Sequence, residues 1–278
     1  MLHRMPLLAR IVTCHRQWHY LEQWLTDDRL FGPEIEWVVV NDAPAAPPSP
    51  TNEALLRRRG VQLVSPACNL GRSGARNLGV DHARAAWVEL IDGDDVPLPL
   101  DPRMLSGLSA EVVTCPVWEI PESCRTLPEP PAQLGLRAMW AELLPGLHPI
   151  DVRPASLIWR RDFLLKLGGF DGRFESAEDL QLVLKADRMG GRVVRHPAPK
   201  QAYRTRPGNP NWDHLHVIGH LRVFDWLPNQ FTPGGREEET GRWVGQGTLY
   251  LLVTSVRLSL RRIRAIGAFL WWRVTGQG

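Results

Sequence analysis

Residues 92–95 read Asp-Gly-Asp-Asp, three carboxylates within four positions. Carboxylates that close repel one another unless a cation neutralises them. Hard oxygen ligands of this kind suit Mg2+ or Mn2+, with a diphosphate completing the coordination. A solvated acidic turn in which Asp94 or Asp95 caps a backbone N–H is the plainer reading of the same residues. Upstream, residues 69–79 read NLGRSGARNLG. The glycines allow the backbone to approach a ligand closely, and Arg76 supplies a fixed positive charge for a phosphate or base. Glu178 and Asp179 adjoin at the start of an expected helix, a place that acidic residues favour on electrostatic grounds alone.

Taken together, Asn69, Gly71, Ala75, Arg76, Asn77 and Gly79, followed by a helix, a strand and then Asp92, Asp94 and Asp95, resemble the family 2 glycosyltransferases of the GT-A fold. Gly168-Gly169-Phe170-Asp171 followed by Glu178-Asp179 resembles a second landmark of that family. The resemblance covers residues 7–210. It implies an α/β protein with a Rossmann-like, mostly parallel sheet flanked by helices. It also implies a metal-dependent, inverting transferase that moves a sugar from a nucleotide-diphosphate donor, a UDP-sugar foremost, to an acceptor hydroxyl. The metal, Mn2+ or Mg2+, then falls to Asp92, Asp94 and Asp95, and the donor to Thr13, Asp42, Arg76, Asp92 and Arg206. Asp42 stands where the base is recognised, although Asn41-Asp42-Ala43-Pro44 replaces the usual Asp-Asp-Gly-Ser. Arg206 stands where relatives often carry a metal-contacting His; an Arg cannot ligate a cation, so its role would be to neutralise phosphate. Asp179 is the first candidate for the general base and Glu178 the second.

Two rival functions belong to other classes. A nucleotidyltransferase of similar fold calls for a Gly-rich loop after the first strand, where Thr13-Cys14-His15-Arg16 stands instead. A non-catalytic sugar-nucleotide-binding module calls for loss of the acidic residues, which are present.

Strands are expected over residues 7–13, 35–40, 61–64 and 87–91, alternating with helices over 19–25, 53–59 and 72–86. Such alternation predicts βαβ units. The polar groups at residues 13–15, 41–42 and 92–95 all follow the carboxyl ends of expected strands, the edge where open α/β sheets bind ligands. Further on, strands are expected over 110–117, 156–159 and 192–195, and helices over 133–144, 161–167 and 177–189, with a Pro-rich loop over 121–131. Residues 1–210 form the expected transferase domain and residues 211–278 a helical extension. That extension holds helices over 211–227 and 248–274. His216 and His220 in the first read as an exposed or core-edge pair before they read as metal ligands. In the second, Arg257, Arg261 and Arg264 share a stripe. That last helix suits peripheral contact with an anionic membrane surface, packing on the catalytic domain, or self-association.

The chain has 278 residues, of which 44% are hydrophobic and 23% charged, ordinary values for a globular protein. A net charge of +3 demands no nucleic-acid partner. The four cysteines lack CxxC spacing, which argues against a zinc or redox motif and fits a reduced, cytoplasmic setting. The twelve tryptophans are expected mostly in the core. No apolar run reaches the roughly 18 residues that span a bilayer.

Overall fold

The computed structural model describes residues 5–124, 157–174 and 176–205. The first part alternates strands and helices: β1 (Leu8–Cys14), α1 (Trp18–Leu25), β2 (Ile35–Asn41), α2 (Pro50–Arg58), β3 (Gln62–Val64), α3 (Gly71–His82) and β4 (Trp87–Asp92). Then come β5 (Val96–Pro97), β6 (Val112–Thr114), β7 (Trp118–Pro121), β8 (Leu157–Arg160), α4 (Arg161–Lys166), α5 (Glu178–Arg188), β9 (Val193–Arg195) and β10 (Gln201–Thr205). A seven-stranded sheet has the order β3-β2-β1-β4-β8-β6-β9. Strand β8 runs against both of its neighbours, and the other pairs are parallel.

The central strands are buried on both faces, as parallel strands covered by helices must be. Ala9, Ile11, Val38, Val40, Val88 and Leu90 face one core with Ala75 and Val80 of α3 and Leu180 of α5. Val12, Trp37, Val39 and Ile91 face another with Leu21 and Trp24 of α1. The tryptophans within the described residues (Trp18, Trp24, Trp37, Trp87, Trp118 and Trp159) are all buried, so they act as core. Gly79 lets α3 lie on the sheet, because a Cβ there would collide with Ile11 and crowd Val40.

Three features depart from expectation. The helix over 72–86 ends at His82, because the Glu36 carboxylate takes the N–H groups of Arg84 and Ala85 and draws the chain out of the helix. The strand over 110–117 is shorter, and the chain then enters β7 in a second, unanticipated sheet of order β5-β10-β7. Strand β10 carries this sheet, antiparallel to β5 and parallel to β7. The expected helices over 133–144, 211–227 and 248–274, the loop beyond residue 124, and hence the extension at 211–278, lie outside the described residues. Among the described residues no helix is long and apolar enough to cross a membrane.

Candidate active site

Register brings the expected polar groups to one edge. Thr13 pairs with Asp92 across β1 and β4, and Cys14 pairs with Asn41 across β1 and β2. The three strand ends are packed closely: a Cβ on Gly93 would sit 2.8 Å from the Thr13 carbonyl oxygen and 2.8 Å from Gln17 Oε1. Only glycine fits there, and its neighbours in the acidic turn are held against β1.

Helix α3 joins this edge to the second half of the chain. Arg76 is 1% exposed; its Nη2 donates to Asp92 Oδ1 at 2.8 Å and its Nη1 to Glu178 Oε1 at 2.6 Å. Its guanidinium also lies 5.3 Å from the Phe170 ring centroid. One residue later, the Asn77 amide donates to the Phe170 carbonyl and accepts from the Phe170 N–H, both at 2.8 Å. Gly169 has φ +68 and faces the same Asn77 amide, so it answers both to the left-handed backbone and to the lack of space. At the other end, Asn69 Nδ2 donates to Asp42 Oδ2 at 2.9 Å, and the Leu70 N–H donates to Asp42 Oδ1 at 2.6 Å. The motif at residues 69–79 therefore works as a row of clips. It fastens the β2 end, the acidic turn, the Gly-Gly-Phe-Asp loop and the start of α5 to a single helix.

These contacts refine the expected roles. Arg76, expected to meet a phosphate, has both Nη groups on protein carboxylates. Asp42, expected to read the base, is 5% exposed, and each carboxylate oxygen already accepts a protein hydrogen bond. Asp95, expected as a metal ligand, lies inside the protein. It is 2% exposed, and its oxygens accept from Arg204 N at 2.9 Å and Gln201 Nε2 at 3.0 Å. Asp92 and Asp94 are the half-exposed carboxylates of the turn. Among the described residues, no group of three or more His, Cys, Asp and Glu side chains is disposed to hold a metal ion. Thr13 is half-buried at the end of β1, and Arg206 lies outside the described residues.

The electrostatics separate the remaining acids. Burial alone would raise Asp92, but Arg76 and Arg72 outweigh it and hold Asp92 below the ordinary carboxylate range. Burial, and then the neighbouring charges of Asp92 and Asp94, push Asp95 well above it. Asp179 is pushed up to about 7, first by burial and then by the adjoining Glu178 charge. Its Oδ1 accepts from the Leu180 N–H at 2.8 Å. The residue before this acidic pair, Ala177, has φ 63, and Arg16 after β1 has φ 66. Among the described residues these are the two non-glycine residues with positive φ, a costly conformation that concentrates at working sites.

Sequence reasoning missed three participants. Arg72, one turn before Arg76, places Nη1 3.6 Å from Glu178 Oε1 while staying 56% exposed. Arg204 is 2% exposed; its Nε donates to the Asp94 carbonyl at 2.8 Å and its Nη2 to Gln23 Oε1 at 2.9 Å, with the Tyr20 ring 4.7 Å away. Lys200 lies fully buried beneath the turn. Helical spacing from Arg76 was the available signal for Arg72; the other two depend on pairing within the small sheet.

Solved structures of similar fold include S. aureus TarS residues 1–349 in complex with UDP-GlcNAc, at TM-score 0.63 and 16% identity, covering 95% of this chain and 80% of that one. Another is the mannosyltransferase PcManGT from Pyrobaculum calidifontis in complex with GDP-Man and Mn2+, at TM-score 0.51 and 17% identity, covering 96% and 81%. The succinoglycan biosynthesis protein ExoO of Rhizobium meliloti (strain 1021) is 37% identical over 68 residues, which are 24% of this chain and 19% of that relative. The chain thus matches about a fifth of that relative's length. Residues 10–160, more than half of the chain, match the model of Glycosyl transferase family 2, and the chain belongs to that family.

Proposed function

We propose that this glycosyltransferase moves a sugar from a nucleoside-diphosphate donor to an acceptor hydroxyl with inversion, with Asp179 as the general base. The observation that carries this reading is the bridge through Arg76. It ties Asp92 of the acidic turn to Glu178, and so brings Asp179 to the same site as a turn suited to a diphosphate. Glu178 is the weaker candidate for base, because it is 3% exposed and bound to Arg76. A carboxylate that titrates near 7 accepts a proton more readily than an ordinary one, and about half of it is ionised at neutral pH.

Asp179 takes the acceptor's proton as the acceptor oxygen bonds to the anomeric carbon from the face opposite the leaving group. The bond from that carbon to the phosphate oxygen breaks, and the nucleoside diphosphate departs with the electron pair. Arg72, the half-exposed cation beside Asp92 and Glu178, is the described residue best placed to offset the departing charge.

The acidic turn fits a divalent cation of the Mg2+ or Mn2+ kind. Such ions keep waters and substrate phosphates and need only one or two protein carboxylates. Asp92 gives Oδ1 to Arg76 and remains 34% exposed, and Asp94 adjoins it. Asp92 and Asp94 would hold the ion, which would neutralise the leaving diphosphate. UDP-sugars are the first donors to try, because one solved structure of similar fold contains UDP-GlcNAc. The division into a transferase domain at residues 1–210 and an extension at 211–278 remains part of this reading. So does the extension's contact with a membrane surface or a second copy.

The test follows nucleoside diphosphate release and the anomeric configuration of the product. Asp179→Asn should lower kcat by about 10²–10⁴-fold while donor binding stays close to wild type. Full activity in that variant, or a product of retained configuration, rejects the assignment. Chelation should abolish turnover and Mn2+ restore it; turnover that ignores chelation rejects the cation.

A further inference from the structure

Beneath the acidic turn lies a charged cluster for which the proposed chemistry has no direct use. Arg10, Glu89 and Lys200 are each 0% exposed. Arg10 and Glu89 are register partners on β1 and β4. Arg10 Nε donates to Glu89 Oε2 at 2.7 Å and its Nη2 to Glu89 Oε1 at 3.1 Å, a bidentate pair that already balances the charge. Arg10 Nη2 also donates to the Lys200 carbonyl at 2.9 Å, and the Arg10 guanidinium lies 5.0 Å from the Trp37 ring centroid. Lys200 therefore adds a second buried cation against one carboxylate, its Nζ 3.5 Å from Glu89 Oε1.

A surplus buried charge is costly unless it is hydrogen-bonded and compensated. Lys200 meets that cost in one direction. Its Nζ donates to Gln201 Oε1 at 2.9 Å, and the other end of that amide, Nε2, donates to Asp95 Oδ2 at 3.0 Å. The Gln201 amide is thus fixed by a cation on its oxygen and a carboxylate on its nitrogen. Asp95 Oδ1 accepts from Arg204 N at 2.9 Å, Arg204 Nε donates to the Asp94 carbonyl at 2.8 Å, and the Asp95 N–H donates to the Asp92 carbonyl at 2.9 Å. An unbroken chain of hydrogen bonds runs from the middle of the main sheet, through the first residues of β10, to both ends of the acidic turn.

We propose that Lys200 is a positioning residue for the acidic turn, acting through Gln201 on Asp95 so that Asp92 and Asp94 are held in place before any ligand arrives. This rests on the reading of that turn as the donor-diphosphate site. Gln201 opens β10, the strand that also carries β5 and β7, and Lys200 immediately precedes it, so the turn is set by the small sheet as well as by β4. Preorganisation of this kind reduces what binding must spend on ordering the site.

Gln201→Leu cuts the link while leaving Arg10, Glu89 and Lys200 in contact. It should raise the donor KM, and the Kd for UDP with Mn2+ measured by calorimetry, about tenfold, with kcat within about threefold of wild type. Lys200→Met should do the same, since Glu89 keeps Arg10. The double variant should be no worse than the worse single variant, because both act on one path. Amide hydrogen exchange at residues 92–95, read on the ligand-free protein, should be at least about tenfold faster in Gln201→Leu. Unchanged exchange at those amides overturns the proposal even if the wild-type protein binds no nucleotide, a result that would defeat the donor-site reading separately. A folded Gln201→Leu variant with wild-type donor KM, or additive losses in the double variant, overturns it as well.

Discussion

The acidic turn at residues 92–95 and the start of α5 both bring neighbouring carboxylates to one site, and both commit one of them to the protein itself. In the turn it is Asp95, bound by Gln201 and Arg204; in α5 it is Glu178, bound by Arg76. The carboxylates that remain differ. Asp92 accepts from Arg76 and is held below the ordinary range, whereas among the described residues no guanidinium hydrogen-bonds Asp179, which rises to about 7. On the proposed reading, one cation hydrogen-bonded to two of these acids and not to the third would divide a charge-holding role from a proton-accepting one. Environments that push two carboxylates apart in this way mark out the acid–base assignment.

Arg76→Met is the sharpest way to break the contrast. It leaves buried Glu178 with only the half-exposed Arg72, 3.6 Å away, and frees Asp92 from Arg76 at the same time. The expected cost is about 3–5 kcal/mol, seen as a Tm lower by about 10 °C, with transfer reduced below ready detection. Calorimetric unfolding and nucleoside diphosphate release check both parts. A variant of wild-type Tm would mean that the bridge contributes little to holding the two regions together.

Glu178→Gln has a smaller effect and isolates one cause. Its amide oxygen still accepts from Arg76 Nη1, but the negative charge beside Asp179 is gone. That charge is the second cause of the raised Asp179 value, so the acid limb of kcat/KM should move down from about 7 by a measurable fraction of a pH unit. A limb that stays in place in a folded, active variant would remove Asp179 from the role of base.

Much of the site could be read in advance because its signals are local. The strand ends, the glycines at 71, 79, 93, 168 and 169, and the spacing of Asn69, Arg76 and Asn77 all lie within short stretches whose period reports their backbone. What each clip holds was not readable, because Arg76 meets Glu178 102 positions away and Asn77 meets Phe170 93 positions away. The buried network was hidden for a related reason. Arg10 and Glu89 are charged residues within otherwise largely apolar strands, and only pairing of β1 with β4 shows that they balance one another. The small sheet escaped notice because β5 has only two residues and β7 four, too few to display a period. Asp42 and Asp95 carry the residue type of a ligand site, yet backbone and amide donors reach them first.

The last contrast lies in stability, where Asp179 should behave unlike a paired carboxylate. Its native value of about 7 stands above the 3.8 of an unperturbed side chain. Between those values the native state keeps a proton that the unfolded chain has released. Stability from this group is therefore present at low pH and is lost as pH rises from about 4 to about 7, with no further change above. An Asn at 179 has no proton to lose. Asp179→Asn should match wild type near pH 4, gain on it through that window, and unfold at a higher Tm at pH 8. Scanning calorimetry of both proteins from pH 5 to 8 measures the difference. A gap that stays constant across the window would mean that the native and unfolded chains bind the proton alike. The strained Ala177 backbone would then be holding a carboxylate of ordinary acidity.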